Sequence, residues 1–279
     1  MVLGPSCGLT LADLGADVVK VEPAPGGDKT RQLPGSGSGF FGAFNRNKRS
    51  VSVNLKSPEG HKFATNLILE SDVLIENFGT GVMDRLGLSY KAIQKINPRL
   101  IYCALKGFLS GPYENRAALD EVVQMMGGLA YMTGPKGRPL RAGASVNDLV
   151  GALFGTIAIQ AALLERQRTG EGTFVRSGLF ESNMFLVANH MVQYCQTGMP
   201  ADPMPEREAS WAVYDVFQTA DDEKVFVGVV SDKQWGEFCE AFNLHNLLEN
   251  KELSTNIQRV ARREEFIPCL HKIFKTYNL

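Results

Sequence analysis

Two rhythms of hydrophobic and polar positions alternate through the first half of the chain. Short β-branched runs at Asp17–Glu22 (DVVKVE), Val51–Leu55, Asp72–Glu76 (DVLIE) and Arg99–Leu105 (RLIYCAL) are predicted strands. Between them lie stretches of helical period. Leu9–Gly15 is one. Ser57–Glu70 is a second and opens on Ser-Pro-Glu, with Ser57 placed as N-cap and Pro58 in the first turn. Ser89–Ile96 is a third and halts at Asn97-Pro98. Such alternation argues a parallel sheet covered on both faces. Two longer apolar helices follow, Leu149–Arg168 and Leu179–Cys195, separated by the turn Thr169-Gly170-Glu171-Gly172. Met199 to Arg207 is rich in proline and charge and reads as a linker. Beyond it the pattern changes. Trp211–Thr219 and Lys224–Val230 flank Ala220–Glu223 as an antiparallel hairpin, and helical patterns cover Lys233–Phe242 and Val260–Phe274. The expectation is an α/β fold with a Rossmann-like parallel-sheet large domain over residues 1–205 and part of a smaller α+β domain over 206–279.

Composition narrows the classes. The 279 residues are 44% hydrophobic and 21% charged, enough for a sizeable core and unlike a disordered chain. With 29 basic and 30 acidic residues the formal net charge is −1, so no global attraction to nucleic acid or an anionic membrane is expected. Cys7, Cys103, Cys195, Cys239 and Cys269 form no Cys-x-x-Cys pair. Neither a metal site nor a redox motif is expected, and the thiols read as small buried hydrophobes in a reducing compartment. No basic segment followed by an apolar run opens the chain, and the apolar stretch Leu149–Leu164 reads as a buried helix. A soluble, cytoplasmic protein is the expectation.

Four local motifs invite chemistry. Gly4-Pro5-Ser6-Cys7-Gly8 matches the hydrolase elbow G-x-S-x-G, but no strand precedes it; a turn with Ser6 capping the following helix is the favoured reading. Gly37-Ser38-Gly39-Phe40-Phe41-Gly42 matches G-x-G-x-x-G, yet it stands far from the strand ending at Glu22 and no clear helix opens at Gly42, so a Gly/Ser loop is expected rather than a dinucleotide site. Asn45-Arg46-Asn47-Lys48-Arg49-Ser50 is either a solvated basic loop or a phosphate contact. Asn147-Asp148 stands immediately before an apolar helix, where both residue types are good N-caps. None of His61, His190, His245 or His271 sits in a telling context.

Read together, several segments resemble the class III (family III) CoA-transferases of the CaiB/BaiF type. They are Leu11–Glu22, Gly27-Asp28 with Thr30-Arg31, the Asn45–Ser50 segment, Glu76-Asn77-Phe78 with Asp84-Arg85-Leu86-Gly87, and Thr169–Gly172, in family order across nearly the whole chain. The resemblance implies a Rossmann-like large domain plus a small α/β domain, with two chains interlocked as a homodimer when full length. It implies no tightly bound cofactor; coenzyme A and acyl-CoA enter as substrates beside small carboxylates. The chain lacks the family's first strand and its C-terminal return, so it is expected to be truncated at both ends. Carried over residue by residue, the nucleophilic aspartate falls on Asp148. Asn77, Phe78 and Gly79 fall on a CoA-contacting turn, Arg85 on a phosphate-contacting arginine, and Leu55 and Lys56 near the adenine site. A further basic contact falls at Ala117, beside Arg116, which is taken in its place; another arginine of some relatives falls on Pro23 and is missing.

Within the family, the Pro112–Met126 segment looks most like enzymes handling C4–C5 dicarboxyl-CoA esters. Mesaconyl-CoA C1–C4 transferase is the nearest likeness, and itaconate, succinate and glutarate remain open as acceptors. The expected reaction is CoA transfer through an aspartyl anhydride and an aspartyl-CoA thioester. Three alternatives compete. An α-methylacyl-CoA racemase shares the fold but needs a histidine base where Leu119 stands. A non-catalytic CoA-binding or dimerising remnant is the second, and a serine hydrolase acting through Ser6 the third.

Overall fold

The computed structural model describes residues 1–207 and 209–279. It divides into two units, Met1–Glu206 and Arg207–Leu279.

The first unit is built around a strand buried on both faces. In order it contains α1 (Leu3–Asp13), β1 (Val18–Pro23), α2 (Phe40–Asn45), β2 (Lys48–Val53), α3 (Pro58–Leu69), β3 (Val73–Glu76), α4 (Val82–Arg85), α5 (Tyr90–Ile96) and β4 (Ile101–Lys106). It continues with α6 (Asp120–Met126), α7 (Leu129–Thr133), α8 (Val146–Thr169), β5 (Phe174–Gly178), α9 (Leu179–Leu186) and α10 (Ala188–Thr197). Strands β3, β4 and β5 form a parallel sheet with β4 in the middle, and β1 and β2 form a separate parallel pair. Alternation along β4 sends Ile101, Cys103 and Leu105 into a cluster with Leu3, Cys7 and Leu11 of α1 and Ala152 and Ile159 of α8. Tyr102 and Ala104 face the other way, onto Ile68, Met83, Leu88 and Ile93. That two-sided burial is why the Ile-Tyr-Cys-Ala-Leu run is apolar throughout.

Helix α8 reaches the sheet through small residues. A Cβ on Gly155 would lie 2.7 Å from Leu105 Cδ2, so glycine sets how closely α8 approaches β4. By length and composition α8 could cross a membrane, but its stripe of Gly151, Ala152, Gly155, Ile159 and Ala162 is buried in this unit. The Thr169–Gly172 turn ends it in a left-handed C-cap at Gly170, φ 79°.

Several expectations change. The Gly4–Gly8 segment is neither an elbow nor a turn: it lies inside α1, which begins at Leu3. Pro5 is tolerated because the first-turn N–H groups of a helix have no intrahelical partner. Ser6 is buried inside that helix, not at its cap. A helix does open beside the G-x-G-x-x-G segment, at Phe40, with Gly39 at its N-cap. Strand β2 starts at Lys48 rather than Val51, because pairing with β1 from Val18↔Lys48 to Pro23↔Val53 draws the basic segment into the ladder. The expected single helix Leu179–Cys195 is two, broken at Val187. Cys7, Cys103 and Cys239 are buried, but Cys195 and Cys269 are exposed. Ser57 caps α3 as expected, its Oγ accepting from Gly60 N at 3.1 Å.

The second unit pairs β6 (Val213–Gln218) and β7 (Lys224–Val229) as an antiparallel hairpin. Around it lie α11 (Asp232–Ala241), α12 (His245–Leu248), α13 (Asn256–Ala261) and α14 (Arg263–Phe274). Its core gathers Phe217, Trp235, Phe266, Leu270 and Phe274. The expected helix from Val260 to Phe274 is divided between α13 and α14.

Candidate active site

A cleft of about 590 Å³ opens in the first unit, outside the carboxyl ends of β3, β4 and β5, where ligands bind in open parallel sheets. It is lined by Asn77, Phe78, Gly79, Arg116 and Asp148, which brings five of the eight expected site residues together. Leu55, Lys56 and Arg85 are not among its lining residues. Lys56 and Arg85 are exposed, and Leu55 is half-buried. The Arg85 guanidinium folds back against Gly81, two residues past Gly79.

The Asn77–Gly79 turn leaves β3 under three constraints. Asn77 Nδ2 donates to Leu105 O at 2.8 Å, and Gly4 N donates to Asn77 Oδ1 at 3.2 Å. A Cβ on Gly4 would lie 2.9 Å from Asn77 Cβ, which accounts for the glycine. The buried Glu76 carboxylate accepts from Phe78 N at 2.9 Å, and Lys106 Nζ binds Glu76 at 2.6 Å and Phe78 O at 2.8 Å. With both backbone polar groups of Phe78 engaged, its ring stands half-exposed at the cleft.

Asp148 does not stand in front of α8. It lies in the first turn, after Val146 and Asn147, and Ser145 occupies the N-cap position without a side-chain bond. The capping carboxylate comes from elsewhere in the chain. Asp120, 4% exposed at the start of α6, accepts from Asn147 N at 2.7 Å and Asp148 N at 3.2 Å through Oδ1. Gln124 Nε2 holds the other oxygen of Asp120. Asn147 is fully buried and accepts from Asn183 Nδ2 at 3.2 Å. The helix end is therefore satisfied by Asp120, and Asp148 is left to face the cleft.

This arrangement alters the charge of Asp148. Burial, then the charge of Asp120, push its carboxyl up to about 6; the Met1 α-amino group and the Leu3 N–H pull the other way, and Glu121 adds to the rise. The carboxyl is therefore less acidic than an ordinary aspartate, because a second carboxylate already sits on the start of α8.

Sequence reasoning missed Asp120, Gln124, Lys106 and Glu76. Asp120 and Gln124 lie in the Pro112–Met126 segment that the resemblance singled out, but their convergence on α8 was not visible. The basic segment also resolves. Arg46 binds Asp13 at 2.6 Å, Asn47 Nδ2 binds Asp13 at 2.7 Å, and Arg49 binds Asp17. Lys48 Nζ donates to Pro5 O at 2.7 Å and Phe44 O at 2.8 Å, and burial, then the charge of Lys20, lower its ammonium to about 8. These cations fasten α1 and α2 to β2. Gly27-Asp28 and Thr30-Arg31 likewise serve a buried carboxylate, Glu22: the exposed Arg31 forks onto it at 2.9 and 2.8 Å, and Asp28 N donates to it at 2.7 Å. No histidine is among the residues lining the cleft, and Leu119 is. Among the described residues no cluster of histidine, cysteine and carboxylate side chains could hold a metal ion.

A model of CoA-transferase family III matches residues 1–279. The chain is 38% identical over 288 residues to an acyl-CoA transferase of Fusarium pseudograminearum, covering 98% of this chain and 63% of that protein. It is 35% identical over 277 residues to a succinate–glutarate CoA-transferase of Agrobacterium fabrum, covering 95% of this chain and 69% of the relative. Among solved structures, a CAIB/BAIF family protein from Brucella suis superposes with a TM-score of 0.84 at 35% identity, covering 99% of this chain and 75% of that one. The chain thus spans about two thirds of the length of these curated relatives.

Proposed function

The chain belongs to CoA-transferase family III, and on that premise we propose that it moves CoA from an acyl-CoA thioester to a small dicarboxylic acid, with Asp148 as the nucleophile. The observation that carries this reading is the Asp148 carboxyl itself, partly buried in a cleft beyond the strand ends and opposite the fixed Asn77–Gly79 turn. The named activity of the Agrobacterium relative supports a dicarboxylate acceptor.

In this reading one oxygen of ionised Asp148 attacks the thioester carbonyl. The C–S bond breaks, leaving an Asp148–acyl anhydride and CoA thiolate. The thiolate then attacks the Asp148 carbonyl, forming an aspartyl-CoA thioester and releasing the first acid as its carboxylate. The incoming carboxylate repeats the two steps in reverse order, so charge and atoms balance without an added reagent. A carboxyl raised to about 6 is still ionised near pH 7.5 and is a stronger base than an ordinary aspartate. The N–H groups of Asn147 and Asp148 are taken by Asp120, so they are not free to hold the oxyanion. Asn77, Phe78, Gly79 and Arg116 hold the CoA end, with Arg85, Leu55 and Lys56 toward its phosphates and adenine beyond the cleft.

The absence of an imidazole from the cleft lining, with Leu119 there instead, weighs against the racemase reading. The test is covalent. Acyl-CoA donor incubated with the protein should leave a CoA-sized, hydroxylamine-labile mass on the peptide containing Asp148. Asp148→Asn should show neither the adduct nor transfer; an Asn variant as active as the wild type would overturn the mechanism.

A further inference from the structure

We propose that Arg141 anchors the far carboxylate of the dicarboxylic substrate, an assignment that rests on the reading of the Asp148 cleft as the site of CoA transfer. A dicarboxylate that offers one carboxyl group to Asp148 brings a second negative charge into a partly dehydrated cleft already holding acidic groups. That charge needs a cationic partner. Three cationic side chains line the cleft, Lys106, Arg116 and Arg141. Lys106 is committed to Glu76 and to Phe78 O. Arg116 lies over the Tyr113 ring at 4.4 Å and belongs, in the reading above, to CoA.

Arg141 is different in kind. Its guanidinium is paired with a carboxylate of the chain itself, Glu121, and both side chains are open to solvent, at 40% and 48%. Exposed pairs of this sort contribute little to stability, so an incoming carboxylate can displace Glu121 at small cost. The fork of an arginine suits a carboxylate in a way an ammonium does not. The pair lines the same cleft as the nucleophile, Asp148.

The base of Arg141 is held still. The next residue, Ala142, donates its N–H to Gln124 Oε1 at 2.7 Å, and Gln124 is fully buried. Gln124 Nε2 donates to Asp120, whose Oδ1 accepts from Asp148 N at 3.2 Å. One buried network thus fixes the backbone beside Arg141 and the turn carrying Asp148. Glu121 holds the fork that the far carboxylate of the substrate takes over.

The experiment compares glutarate with pentanoate, acids of equal length that differ by one carboxylate, as acceptors from a common donor. The proteins are the full chain, Arg141→Gln, Arg141→Lys and Glu121→Gln. Arg141→Gln should raise KM for glutarate roughly ten- to a hundred-fold, the range for loss of a hydrogen bond to a charged group, and leave pentanoate within about two-fold. Arg141→Lys should restore part of the loss, and Glu121→Gln should lower KM for glutarate by freeing the fork. Equal effects of Arg141→Gln on both acids, or none on either, would overturn the assignment. Titration calorimetry with glutarate and pentanoate reads the same preference without turnover. If the wild type transfers CoA to neither acid, the proposed activity fails, and the binding difference between wild type and Arg141→Gln still decides the role of Arg141.

Discussion

Replacing Asp148 by asparagine should make the protein more stable at neutral pH while ending its activity. Its carboxyl titrates at about 6 in the fold against an ordinary 3.8. Each pKa unit corresponds to 1.36 kcal/mol, so a fully buried group with that shift would cost about 3 kcal/mol when ionised. Asp148 is half-buried and reaches the cleft solvent, which reduces the figure to about 2 kcal/mol. The sign follows from which state ionises first. Well below pH 3.8 the carboxyl is protonated folded and unfolded, and the penalty vanishes. As pH rises past 3.8 the unfolded chain ionises first, and stability falls until the folded group ionises near 6. Asparagine keeps the shape and removes the charge. At roughly 2–4 °C per kcal/mol, the variant should melt about 4–8 °C above the wild type at pH 7.5 and level with it well below pH 3.8. Thermal melts of both proteins across that range are the assay. A variant that melts no higher than the wild type at pH 7.5, or a gain of the same size at pH 4, would refute the reasoning.

Three further outcomes are expected. Asp120→Asn keeps a carbonyl oxygen for the N–H groups of Asn147 and Asp148 but removes a charge, so the acid limb of the kcat/KM profile should move from about 6 toward 3.8; an unmoved limb would show that Asp120 does not act on Asp148. Glu22 is pulled to about 2, first by the hydrogen bonds from Arg31, and a depressed carboxyl stabilises the fold above the unfolded value of about 4.5 and loses that stabilisation as pH falls toward 2. Glu22→Gln should therefore cost about 2–3 kcal/mol at pH 7 and show a flatter acid denaturation profile than the wild type, measured by urea titration at several pH values. Arg85→Ala, at an exposed arginine with no ion pair among the described residues, should raise KM for the acyl-CoA about ten-fold with kcat unchanged; a loss confined to kcat would remove Arg85 from CoA binding.

Much of the sheet was legible because its strands carry their own signal. Val18–Val21, Val73–Ile75 and Ile101–Leu105 are rich in apolar residues, and only Lys20 among them is charged; each became a strand within a residue or two of its expected place. Phe174–Gly178 was not legible. Arg176, Ser177 and Gly178 have weak strand propensity, and the segment is a strand because it completes the ladder on β4, a non-local gain. Lys48–Ser50 failed in the same way, as polar residues whose strand conformation depends on β1 and whose side chains find helix carbonyls, Asp17 and Glu22. Helix starts were legible where the cap is local, as at Ser57, and were misplaced at α8, where the cap is Asp120 reaching across from another helix.

That last failure bears on the site. Apolar periodicity placed the helix start at Leu149, so Asn147 and Asp148 took the role of caps by position, and only the resemblance singled out Asp148 as reactive. In the fold the capping duty falls to Asp120, and the consequence is chemical. A carboxylate used as its own cap would be stabilised by the N–H groups it accepts and would be a poor nucleophile. With those N–H groups already satisfied, burial and the neighbouring negative charge of Asp120 outweigh the Leu3 N–H that Asp148 does receive, and its basicity rises. Gln124 makes this possible by holding Asp120 from behind, so the two carboxyls stay close without swinging apart. The fold carries that strain as lost stability at neutral pH, which is why the same residue should be both the most damaging to change for transfer and a stabilising one to change for melting.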